Sequence, residues 1–154
     1  MLMATLYSLH IFAVMVWIGG MFFAHMALRP TVATVLQPPE RLTVLAGVFT
    51  RFFIWVKVSI VLLFVSGLWL IHIHGSFAKA GWHVHLMLLI AVLMTIIFGV
   101  IYAKPFKALK SAVATKQWPA GAAAMAQIRQ LVGINLLLGL FVMVVGVSGR
   151  YLVL

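Results

Sequence analysis

The chain has no cysteine and a single acidic residue, Glu40, among 154 positions. The first absence excludes disulfides, thiolate metal sites and thiol chemistry. The second leaves no carboxylate inside any apolar run to tune a histidine in a proton relay. Charge is scarce altogether: 8% of residues are charged, far below what a soluble surface of this size carries. Apolar residues fill the space: 66% of the chain is hydrophobic and the mean hydropathy is +1.23. That composition belongs to a membrane protein. A net charge of +10 could suggest a nucleic-acid partner. The basic residues, however, lie between apolar runs of membrane length, so they read as topology signals and not as a nucleic-acid surface.

Four runs are long enough to cross about 30 Å of hydrocarbon, which takes about 20 helical residues. They are residues 2–28, 52–74, 82–103 and 131–151. Arg29-Pro30 is expected to close the first, His74-Gly75-Ser76 the second and Lys104-Pro105 the third. The first run lacks the basic start of a signal peptide and is long enough to span, so it reads as part of the mature chain. The expected fold is an all-α integral membrane protein, residues 1–154 forming one four-transmembrane-helix bundle. Eight basic residues fall in the first and third connections, and only Lys79 and Arg150 on the other side, with Lys57 inside the second span. The positive-inside rule then places both termini outside, towards the periplasm of a Gram-negative cell, in a multi-pass protein of the bacterial inner membrane. Pro38-Pro39-Glu40 reads as the start of a short helix leading into the second span. Phe106, Leu109 and Val113 recur at helical spacing between lysines, which predicts a basic amphipathic extension lying on the lipid surface and broken at Trp118-Pro119.

The six histidines are unevenly spread. His72 and His74 end the second span, and His83 and His85 begin the third on the same side. His10 lies about 12 Å along the first span. His25 is alone near the opposite end. Members of a His-x-His pair differ by about 200° around a helix, so both cannot face one interior site. His10 and His85, at similar depth on different helices, are the best candidates for a shared ligand site. His83 is the substitute, and His72 and His74 are a gate or second site. Neutral imidazoles with no acid nearby suit metal or heme ligation.

Other polar positions have structural readings. Lys57 can snorkel to the headgroups. Asn135, Gly133 and Gly139 suit interhelical packing, and Gly19-Gly20 allow close helix approach or room for a flat ligand. The nine methionines look scattered. Met87 follows His85 by two residues, so those two side chains point apart, and no methionine ladder is visible.

Four segments in order, "LHIFAVMVWIGGMFFAHMALRP", "RFFIWVKVSIVLLFVSG", "HVHLM" and "IRQLVGINLLLGLFVMVVGVSGRY", resemble the small stand-alone members of the CopD family, the copper-resistance D membrane domain. The resemblance implies an inner-membrane helical bundle associated with copper handling. The first segment also resembles the opening helix of HemJ, the membrane protoporphyrinogen oxidase, where a histidine corresponding to His10 is associated with heme b. The later helices depart from HemJ and carry "HVH" instead.

Two functions compete, beside a third, purely structural role in which the outer loops dock a periplasmic copper protein. In the first, the bundle holds bis-histidine heme b in its outer half for electron transfer or heme-linked membrane oxidoreductase chemistry. His10 and His85 would be axial ligands, Trp17 would line the pocket, and Arg150 would meet a propionate or a quinone oxygen. In the second, the outer histidines bind copper and the bundle carries it across the membrane. Either role admits membrane lipid, a periplasmic redox or copper partner, and a homo-oligomer.

Overall fold

A computed structural model describes residues 1–149 and 151. Its first helix, α1, runs Leu2–Val35, past the expected stop at Arg29-Pro30. Pro30 has no N–H to give the carbonyl four residues back, so an ordinary helix would break or kink there. The turn before it, Ala24–Leu28, is instead π-helical, and the Arg29 N–H reaches back five residues to the Ala24 carbonyl. A second π turn occupies Met15–Gly19. Each wider turn re-aims the residues that follow it, and such turns gather at functional sites.

Helix α2 is Pro38–Ile73, 36 residues without interruption. The expected separate lead-in helix is simply its first turns, because nothing after Glu40 breaks the run. Glu40 and Gln37 form a reciprocal capping box, and the prolines sit in the first turn, where no N–H is missed. The C-terminus is a Schellman turn: Gly75 has φ of 99°, and the Ser76 N–H donates to the Ile71 carbonyl at 3.2 Å. Helix α3 is Trp82–Ala103, as expected.

Two further expectations need correction. Helix α4, Pro105–Ala114, is amphipathic, but its apolar face is not laid on lipid. It packs against α2 and α3 and against α5, Trp118–Ser148. Leu109 is wholly buried, and the Phe106 ring meets Phe53 of α2 at 4.8 Å. The protein core outcompetes lipid for that face because it also offers close-packed aromatic partners. Second, Trp118-Pro119 begins α5 instead of breaking a helix, since proline is favoured in a first turn. The break falls just before, where Lys116 takes φ of 56° and the Gln117 N–H caps the Ala112 carbonyl at 2.8 Å.

In the bundle α1 packs along α2, and α3 along α5. The four long helices are apolar enough to cross a bilayer, with mean hydropathies of 2.0 to 2.8. Large side chains such as Ile11, Leu89, Leu137 and Val144 face outward, an apolar belt that only lipid can cover without penalty. The chain is a multi-pass membrane protein.

Candidate functional site

The loop joining α2 to α3 brings one end of the bundle its histidines. His72 and His74 are exposed at the close of α2, and His83 and His85 lie in the first turn of α3. His10 reaches α2 from α1. Its Nδ1 is 2.8 Å from Ser66 Oγ, and that hydroxyl donates its one proton to a backbone carbonyl of its own helix, Leu62. The serine oxygen must therefore accept, and His10 must carry its proton on Nδ1. Nε2 then keeps its lone pair. His74 is fixed the same way: its Nδ1 is 2.8 Å from the Leu70 carbonyl, which can only accept. This is how ligating histidines are usually oriented.

His10 and His85, expected to share a ligand, have different surroundings. His10 is half-buried and turned to α2, where Gly67 leaves room for its ring. His85 is exposed, on the face of α3 away from the core, and the strong pairings of the bundle are α1 with α2 and α3 with α5. Similar depth does not make two helices neighbours. Trp17 is buried, 2% exposed, but lines a hollow with Met21, Phe52, Phe98 and Asn135, and neither His10 nor His85 reaches it. That hollow therefore lends no support to a macrocycle ligated by His10 and His85. Arg150 lies outside the described residues.

The seam between α3 and α5 carries the chemistry that the sequence reading passed over. The half-buried His83 packs against the end of α5: a Cβ placed on Gly149 would collide with it. One turn on, Met87 lies over Gly146, its Sδ 3.4 Å from where a Cβ would stand. Two turns further, the buried Met94 lies over Gly139, its Cε at 3.3 Å from the corresponding position. Spacings of four and seven put His83, Met87 and Met94 on one helical face. Measured from His85, Met87 points away; measured from His83, it belongs to the same stripe. The matching glycines are the legible counterpart on α5, since small residues let transmembrane helices approach closely.

Asn135 locks the inner end of this seam. Its Nδ2 donates to the Met94 carbonyl at 3.2 Å, and its Oδ1 is buried with no partner. At the opposite end of the bundle His25 rests against Gly133 of α5. Lys57, expected to snorkel, lies 4.8 Å over the Tyr102 ring. Among the described residues no three side chains of the His, Asp, Glu and Cys types come together to hold a metal ion. The soft donors form a line, not a cage.

No curated protein and no solved structure matches the chain. A family model does: that of CopD, copper resistance protein D, matches residues 46–148, about two thirds of the chain, and takes in His72, His74, His83, Met87, Met94, Asn135, Gly139 and Gly146. The chain belongs to the CopD family of membrane proteins.

Proposed function

We propose that this protein binds copper at the histidine end of the bundle and passes it into the membrane along the α3–α5 seam. The family match carries the copper reading. The seam supplies the chemistry: imidazole and thioether are the donors that Cu(I) prefers among those this chain possesses. A transported ion must also be held weakly enough to leave, which favours a line of donors over a closed cage. His72 and His74 are exposed for capture, and with Nδ1 of His74 on the Leu70 carbonyl its Nε2 keeps the lone pair. His83 follows. Met87 stands about 6 Å further along the axis, and Met94 about 10 Å beyond that, at 1.5 Å per residue. Flexible thioethers suit the longer step. By the positive-inside rule the end rich in arginine and lysine faces the cytoplasm of a bacterial inner membrane, so the histidine end meets the periplasm.

The test is a Cu(I) titration of the purified protein against a chromogenic chelator. Met87→Leu keeps the volume and removes the sulfur. It should weaken Cu(I) binding about tenfold, the worth of roughly 1.4 kcal/mol, while His85→Ala leaves it unchanged. Equal binding by Met87→Leu and wild type would remove the seam from the account. A protein purified with a Soret band and no affinity for Cu(I) would restore the heme reading.

A further inference from the structure

The other end of the bundle holds an arrangement that copper handling does not use. His25 and Arg29, four residues apart on α1, line a cleft against Arg129 of α5. Arg29 also lies within electrostatic range of Arg41. Guanidiniums stay charged at any physiological pH, so these three repel one another. No carboxylate among the described residues offsets them. The only acidic side chain, Glu40, accepts the Gln37 N–H at 3.4 Å in the cap of α2. The rest of the cleft wall is apolar, including Phe49 and the fully buried Ile128.

We propose that this cleft binds a phosphate group, and that the group is the headgroup phosphate of an anionic membrane lipid. Three observations support this reading, and the second selects a lipid over free phosphate. First, two of the guanidiniums share one cleft, and the planar fork of arginine matches phosphate oxygens two at a time. Second, the same turns of α1 carry Phe22, Phe23 and Met26, all exposed, which gives acyl chains an apolar wall beside the charged site. Third, the π turn Ala24–Leu28 carries His25 and ends directly before Arg29. Gly133 admits the His25 ring, with Cε1 3.4 Å from where a Cβ would stand, so the imidazole reaches the cleft without pushing α5 away. The site stands apart from the copper reading and survives its failure.

Native mass spectrometry of the full chain, delipidated and offered phosphatidylglycerol, phosphatidylcholine or inorganic phosphate, tests it. Phosphatidylglycerol should be retained in preference to phosphatidylcholine. The double variant Arg29→Gln/Arg129→Gln should lose retention about tenfold, a loss of roughly 1.4 kcal/mol. Arg29→Lys/Arg129→Lys keeps the charge but not the fork and should retain an intermediate amount, a result that also guards against misfolding of the glutamine variant. Lys104→Gln/Lys107→Gln removes the same charge from exposed positions outside the cleft and should change nothing. Equal loss from both glutamine pairs would reduce the effect to general surface charge and overturn the site. Saturation by inorganic phosphate with no lipid preference would overturn the lipid assignment.

Discussion

The two long helix pairs of the bundle solve the same problem with different chemistry. Between α1 and α2 the polar group is His10, and its Nδ1 proton is committed to Ser66 at 2.8 Å. Between α3 and α5 one amide, Asn135, donates to the Met94 carbonyl, and the side chains towards the histidine end are soft: Met87 and Met94 lie over the backbone of Gly146 and Gly139, and their thioethers need no hydrogen bond. A histidine inside a membrane must be paired, because an unpaired polar group in hydrocarbon costs several kcal/mol. A thioether carries no such penalty, so it can wait unpartnered for a soft ion. The difference teaches that the most conspicuous ionisable residue in a span can be held by a contact between helices.

The largest expected effect comes from closing the soft seam. Gly139→Leu would drive a side chain into Ile18 and Met94, whose atoms stand 3.0 and 3.3 Å from the new Cβ. Such overpacking costs about 1–3 kcal/mol. Thermal unfolding in detergent should shift downward, and Cu(I) binding should fall with it. Splitting the "HVH" motif sharpens the comparison further. His83→Ala should weaken Cu(I) binding about tenfold, roughly 1.4 kcal/mol, and His85→Ala should not, as measured by the same chelator competition. Equal effects would mean that both faces of α3 take part. The smallest effect belongs to the other seam. Ser66→Ala removes the partner of His10 and should cost about 1 kcal/mol of stability. Copper binding should be unmoved, and the His10 tautomer, followed by nitrogen NMR, should lose its preference for Nδ1–H.

Much of the fold is legible in the residues. The third span is found at its true bounds because Gly81 and Lys104-Pro105 punctuate it at both ends. The first span runs further than Pro30 suggests, since a π turn absorbs the missing donor, and no local pattern announces that. Helix α5 begins at Trp118 because proline marks a first turn as readily as a break. The site is harder. Depth along a span can be counted, but which helices are neighbours depends on packing: His10 and His85 share a depth, while α1 packs along α2 and α3 along α5. The stripe of His83, Met87 and Met94 is legible from spacing alone, as are the glycines opposite it. What the sequence cannot supply is that these two faces meet.

The central claim is that copper moves along the α3–α5 seam, and flux measures it most directly. Protein reconstituted into liposomes in one orientation should take up radioactive Cu(I) in a saturable way. Met87→Leu/Met94→Leu should abolish most of that uptake while leaving the helical content and thermal stability close to wild type, since leucine replaces methionine at little cost in volume. His10→Ala should transport normally. Undiminished uptake by the double methionine variant, with loss on removing His10, would contradict the account and move the route to the α1–α2 seam.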